Sequence, residues 1–202
     1  MTELPRIEGG WRTVLVDPAW KYKQKLTAEK TRGGAEKHYQ TMTIEEIMAL
    51  PVGEISAHDC QLWCWTTNTF LHDAFHIIER WGFEYKVTIT WVKGHIEANR
   101  FVLKFGLGYW ARGATEHLLL AVKGNPREKF NGPNGATGLN YSTVILEPTH
   151  THSVKPEASY RMIEAMGEEP RLELFARKRR EGWTQFGDQL ESELQSRIDL
   201  VK

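Results

Sequence analysis

Short apolar runs that recur between helix-spaced segments constrain this chain more than any other feature. Residues 13–16 (TVLV), 62–65 (LWCW), 85–92 (YKVTITWV), 117–122 (HLLLAV), 143–146 (TVIL) and 171–176 (RLELFA) are rich in β-branched, aliphatic or aromatic side chains and read as strands, with 183–186 as the last. Helix signals lie between them. Thr43-Ile44-Glu45-Glu46 has capping-box spacing, and Pro51 helps to end the short helix it opens. Residues 69–81 place Leu71, Phe75, Ile78 and Trp81 at helical spacing, with Gly82 as the stop. Pro156 sits at a first helical position, and that helix runs to Met166 with Gly167 after it. Strands alternating with helices predict an α/β fold with a doubly wound, mostly parallel sheet. Ligands of such sheets sit beyond the carboxyl ends of the strands, where Asp17 and the residues after Leu174 fall.

With 202 residues, 41% hydrophobic and 26% charged, the chain is expected to form one domain over 1–202, its core about 11–189. Residues 188–201 read as a C-terminal helix with Leu190, Leu194, Ile198 and Val201 on one face, packed on the domain or presented to a partner. No apolar run is long enough to cross a bilayer, and the first residues, MTELPRIEGG, lack signal-peptide character, so a cytoplasmic protein without membrane contact is expected. Two cysteines, Cys60 and Cys64, are too few for a disulfide framework and read as small buried hydrophobes. His72 and His76 are four apart on a helix but have no third ligand, so they read as surface residues and no metal is expected. The loop at 131–140 is rich in glycine but lacks Walker spacing.

Net charge is zero, yet the charges are unevenly spread. Between residues 21 and 37 stand Lys21, Lys23, Lys25, Lys30, Arg32 and Lys37 against Glu29 and Glu36, in a polar stretch that reads as a long loop. Arg177-Lys178-Arg179-Arg180 is a second basic run. Each is either a solvated face or a grip for phosphates.

Asp17-Pro18-Ala19-Trp20 directly follows a buried strand. Asp-Pro is a common turn opening, and a nearby Trp is often core. The same residues also suit one chemistry. An exocyclic amine on an aromatic base is a poor nucleophile because its lone pair is delocalised into the ring. A carboxylate and a backbone carbonyl, both pure acceptors, can hold its two hydrogens and help to localise that pair. Asp17 offers the carboxylate, Pro18 a carbonyl on a backbone of fixed φ, and Trp20 a ring that could stack on the base.

This motif resembles the Asp-Pro-Pro-Trp signature of the N6-adenine methyltransferases related to the eukaryotic messenger-RNA adenine methyltransferase. Residues 35–42 (AEKHYQTM) and the helix after them, 106–124 (GLGYWARGATEHLLLAVKG), 152–160 (HSVKPEASY) and 171–189 (RLELFARKRREGWTQFGDQ) are similar to that family's later blocks, in the same order and spacing. The resemblance spans roughly residues 11–189 and implies a Rossmann-like methyltransferase fold with the catalytic motif ahead of most of the cofactor site. It implies transfer of a methyl group from S-adenosylmethionine to adenine N6 in a nucleic acid, without a metal. DNA is favoured over RNA because the short members are bacterial and phage proteins. A homodimer or a partner subunit is open.

Residue by residue, the resemblance implies that Asp17 and the Pro18 carbonyl accept from N6, Trp20 shapes the base pocket and Tyr39 closes over it. Lys155 would neutralise the carboxylate of the cofactor's methionine tail. Glu173, Phe175 and Arg177 would line the cofactor pocket, and Asp188 and Gln189 would hold its ribose. The loop cations Lys21, Lys23, Lys25, Arg32 and Lys37 would grip phosphates, with Arg179 and Arg180 as second candidates. Two departures stand out: the second proline is Ala19, which frees the turn, and Gly-Asn-Gln is Gly187-Asp188-Gln189. The rival reading is a catalytically inactive nucleic-acid-binding relative or a subunit of a methyltransferase complex. Joint retention of Asp17, Lys155 and Gln189 argues for activity. Methylation of a small molecule or another base is disfavoured by the basic loop.

Overall fold

The computed structural model describes residues 3–22, 41–106, 110–126, 141–149, 154–187 and 190. Its centre is a seven-stranded sheet. The strands are β1 (Trp11–Val16), β2 (Ser56–Thr66), β3 (Glu84–Val92), β6 (Thr115–Lys123), β7 (Val144–Leu146), β8 (Arg171–Leu174) and β9 (Thr184–Phe186), in the spatial order β7-β3-β6-β2-β1-β8-β9. β1 lies parallel to β2 and β8, β3 to β7, and β8 to β9. β6 runs antiparallel to both of its neighbours, β2 and β3. A separate two-stranded hairpin, β4 (Gly94–Glu97) with β5 (Arg100–Leu103), lies in the β3–β6 connection.

Both faces of the sheet are covered, which explains why its inner strands read as continuous apolar runs rather than alternating ones. On one face Val14, Val16, Leu62, Cys64, Leu119 and Leu172 pack with Ile47 of α1 (Ile44–Met48), Val52 of α2 (Val52–Ile55) and Ile77 and Ile78 of α3 (Leu71–Arg80). On the other, Leu15, Trp63, Trp65, Leu118 and Leu120 meet Met162, Ile163 and Met166 of α4 (Glu157–Met166). The doubly wound α/β expectation is met, and Cys60 and Cys64 are buried as free thiols.

Local expectations hold where local chemistry decides. Thr43 Oγ1 accepts from the Glu46 amide (3.2 Å) while Glu46 Oε2 accepts from the Thr43 amide (2.8 Å), closing the capping box of α1. Gly82, at φ 83°, ends the turn after α3 in a conformation that costs other residues energy. His72 and His76 are exposed, as read. Differences are instructive. β2 runs over 56–66 rather than 62–65 because its neighbours β1 and β6 pair with it along that length. Pro156 is the N-cap, with extended ψ of 139°, so α4 starts at Glu157. β8 stops at Leu174, two residues short of the sequence reading, because Phe175 turns to φ 62°. Among the described residues no helix is long and apolar enough to cross a membrane. Leu190 is buried, and the rest of the expected C-terminal helix lies outside the described residues.

Candidate active site

Val16, the last residue of β1, pairs with Cys64 of β2 and Leu174 of β8, so Asp17 emerges at the carboxyl edge between two parallel neighbours. Its Oδ1 lies 3.1 Å from Lys155 Nζ and its Oδ2 3.9 Å from Arg177 Nη2. Lys155, just ahead of α4, also donates to Glu116 Oε2 at 2.9 Å and sits 5.2 Å above the Trp65 ring. Glu116 is held from its other side by Lys93. The side chains of Asp17, Lys155 and Glu116 are only 17%, 13% and 14% exposed. Charges this sheltered persist because they alternate, carboxylate against ammonium, along the row Asp17–Lys155–Glu116–Lys93. Burial pushes the Lys155 ammonium down, but Asp17 and Glu116 outweigh it and hold its pKa above the ordinary lysine value. Burial raises Glu116, and the two lysines more than reverse that, leaving it below the ordinary carboxylate value.

Beside Asp17 opens a cavity of about 230 Å³, with Lys155, Tyr160, Glu173, Phe175 and Arg177 in its wall. Glu173 Oε1 accepts from the Tyr160 hydroxyl (2.7 Å) and Oε2 from Gln185 Nε2 (3.0 Å). Burial lifts Glu173 above the ordinary carboxylate range against these two bonds, and nearby Asp17 adds to the rise. The positive φ of Phe175 is a strained conformation for an aromatic residue, the kind that persists where surrounding structure imposes it and that clusters at functional sites. The strand after it returns close by: the Ala176 amide donates to the Phe186 carbonyl (3.1 Å), and a Cβ on Gly187 would stand 2.4 Å from the Ala176 carbonyl oxygen.

The structure gathers Asp17, Lys155, Glu173, Phe175 and Arg177 around one cavity, although Lys155 lies 138 positions after Asp17 in the sequence. Pro18 follows Asp17 directly. Its carbonyl already accepts from the Trp20 amide (2.8 Å), which leaves one lone pair for a ligand. Trp20 departs from the expected role of a base-stacking platform: it is buried in the core and stacks on Phe70 with ring centroids 4.9 Å apart, so the covered face supports the motif from behind. Arg180 is likewise committed. Its guanidinium bonds Glu157 and Glu164 and lies over the Tyr160 ring, so it braces α4 and is not a phosphate grip. Lys21 is exposed, and its amide donates to the Met42 carbonyl while the Met42 amide donates to the Ala19 carbonyl, so Met42 is paired with the chain directly after Asp17-Pro18. Tyr39, Lys23, Lys25, Arg32, Lys37, Asp188 and Gln189 lie outside the described residues.

Glu116, Lys93, Tyr160 and Gln185 were not singled out from sequence. Glu116 was missed because strands were read as ending, not beginning, at the ligand edge. β6 is antiparallel, so its first residues stand where its neighbours finish. A carboxylate directly ahead of an apolar run was the available signal.

The donor set suits an amino-acid zwitterion: Asp17 offers an acceptor for an ammonium, while Lys155 and Arg177 offer cations for a carboxylate. Lys155 has three N–H donors and uses two on Asp17 and Glu116. The residues present therefore fit the methionine tail of S-adenosylmethionine. Fold and site together define an α/β protein whose ligand cavity opens at the carboxyl edge of the sheet, beside an acidic strand end. The chain belongs to the MT-A70 family, whose model matches residues 11–189, and it has that family's Rossmann-like methyltransferase fold. It is similar to the N(6)-adenosine-methyltransferase catalytic subunit METTL3 of Homo sapiens, with 30% identity over 92% of this chain and 29% of that protein. It is also similar to the type II methyltransferase M.MunI of Mycoplasma sp, with 29% identity over 99% of this chain and 88% of that protein. The chain spans about a quarter of the length of the plant relatives it matches, such as the N(6)-adenosine-methyltransferase MT-A70-like protein of Arabidopsis thaliana.

Proposed function

We propose that this chain transfers a methyl group from S-adenosylmethionine to the N6 amine of adenine in a nucleic acid. The observation that carries the reading is Asp17 at the end of β1, held by Lys155 and opening onto the cavity. The names of the relatives support it: one set is N(6)-adenosine-methyltransferases, another a type II methyltransferase. DNA is favoured over RNA because a relative matched over 88% of its own length is a bacterial type II methyltransferase.

When bound, the cofactor supplies an electrophilic methyl group on its sulfonium. The chain's own contribution is positioning and electrostatics. Asp17 and the free lone pair of the Pro18 carbonyl would accept hydrogen bonds from the two N6 hydrogens and localise the amine's lone pair, and the proton that N6 releases on methylation would pass to Asp17 or solvent. Lys155, pinned between Asp17 and Glu116, fixes the direction of the Asp17 carboxylate and keeps its third N–H for the cofactor carboxylate. Glu173, Phe175 and Arg177 would line the cofactor cavity, with Asp188 and Gln189 on the ribose.

The test uses purified chain, tritiated S-adenosylmethionine and adenine-containing oligonucleotides, single-stranded and duplex, DNA and RNA, with Asp17→Ala as control. Label on N6 with the wild type alone is the expected result. Absence of label on every substrate together with absence of cofactor binding would sink the enzyme reading. Cofactor binding without label would point to a chain that needs a partner subunit.

A further inference from the structure

A helix leaves its first amides without intrahelical partners, and the usual remedy is an oxygen on the N-cap side chain. α4 opens on Pro156, which makes no side-chain cap. The cap comes instead from outside the helix. Glu147 Oε1 accepts from the Glu157 amide (2.6 Å) and Oε2 from the Ala158 amide (2.9 Å). The Glu147 side chain is 17% exposed, and Arg161, one turn into α4, stands 3.9 Å from Oε2. A carboxylate that accepts two amides at the positive end of a helix makes charge-assisted bonds, stronger than those of a neutral cap.

The sheet places Glu147. It directly follows β7, as Asp17 directly follows β1. β7 runs parallel to β3, β3 and β2 both run antiparallel to β6, and β2 runs parallel to β1, so the two carboxylates leave their strands at the same edge. The Glu147 carbonyl accepts from Trp91 Nε1 (2.8 Å), and Trp91 meets edge-on the Trp65 ring over which Lys155 sits. The start of α4 in turn builds one side of the cavity: Val154, Lys155, Glu157 and Tyr160 line it, whereas Glu147 does not. Lys155 stands two residues before the first capped amide, and the proline after it narrows its own backbone freedom. Further along, α4 is held by burial of Met162, Ile163 and Met166, and Arg180 holds the Glu157 and Glu164 side chains. Among the described residues, the main chain of the first turn is tied to the sheet through Glu147.

We propose that Glu147 is a positioning residue: by capping α4 from the end of β7 it sets the Lys155 ammonium between Asp17 and Glu116, and so fixes the cation that meets the carboxylate of an amino-acid tail in the cavity. This rests on the cofactor reading above and deepens it. The test is calorimetry on the full chain with two ligands, S-adenosylhomocysteine and methylthioadenosine, a nucleoside thioether without the amino-acid tail. Thermal unfolding of each variant is measured beside it. Glu147→Gln keeps the size and one acceptor but turns an N–H donor toward an amide. It is expected to weaken S-adenosylhomocysteine by roughly 3- to 30-fold, the size of a lost cap, and to leave methylthioadenosine unchanged. Pro156→Ser supplies a cap on the spot, at a residue whose ψ of 139° already suits an N-cap, so Glu147→Gln with Pro156→Ser should regain most of the lost affinity. Unchanged S-adenosylhomocysteine affinity in Glu147→Gln, with a lower melting point, overturns the proposal and makes the cap structural only. Equal losses for both ligands also overturn it, because the whole cavity wall would then have moved rather than Lys155. A wild type that binds neither ligand overturns the cofactor reading and this role with it. Since the readout is ligand binding, it stands whether or not adenine is labelled, which keeps a failure of the reaction distinct from a failure of the positioning.

Discussion

Ala19 shows how a single side chain can differ from a family signature without altering the chemistry around it. The Trp20 amide reaches back to the Pro18 carbonyl across Ala19, and the Ala19 carbonyl accepts from Met42. Both bonds use atoms that a proline at position 19 would keep. Ala19→Pro is therefore expected to retain methyl transfer and to stabilise the chain by about 0.4–1 kcal/mol through the unfolded state, checked by denaturant unfolding beside the tritium assay. Loss of stability would mean that the backbone at 19 cannot adopt proline's φ. Glu116 makes the opposite case, a residue with a large role and a faint signal. Removing its charge leaves Lys93 and Lys155 with one carboxylate fewer in a sheltered row, so Glu116→Gln should cost about 3 kcal/mol at neutral pH. The pH dependence follows from its sign. The folded pKa lies below the ordinary glutamate value of 4.5, so the stabilisation is complete above about that pH and is lost as pH falls through the lowered value. Unfolding curves from neutral pH to pH 3 should show this acid loss in the wild type and a flatter limb in Glu116→Gln. Parallel curves would sink the assignment.

Among the elements, the strand ends decide where chemistry can happen. β1 and β8 were legible from composition because each is buried on both faces, and their ends were legible as ligand edge because parallel strands finish together. The antiparallel run of β6 was not legible, since strand direction is set by pairing with β2 and β3 and leaves no mark on the apolar pattern. The β4–β5 hairpin was missed for a related reason: with few contacts beyond itself, it has no buried face to impose alternation. The return of β9 onto Phe175 is a matter of close approach. A Cβ at Gly187 would meet the Ala176 backbone at 2.4 Å, so Gly187→Ala should destabilise the chain by about 1–3 kcal/mol and weaken cofactor binding, since the cavity wall at Phe175 must shift. Thermal unfolding with calorimetry tests both, and an unchanged melting point would show that the turn has room to give.

At the scale of the molecule, two cores, one on each face of the sheet, present a single edge at which charges from β6 and from the segments after β1, before α4 and after β8 converge. A ligand that bridges them should couple to global stability. S-adenosylmethionine at one hundred times its dissociation constant is expected to add about 2.7 kcal/mol, read as a rise in melting temperature that Asp17→Asn diminishes. No shift at any concentration would remove the cofactor from this cavity. The sequence alone determined the fold class, because alternating strand and helix periods admit few packings, and it offered the candidate motif, because Asp17 and Pro18 are adjacent by covalent bond. Tertiary structure alone decided that Trp20 faces Phe70, that Arg180 braces α4, and that Glu116 shares Lys155 with Asp17. Each of these depends on which strand or helix lies beside which, and local residue pattern carries no information about a neighbour that is distant along the chain.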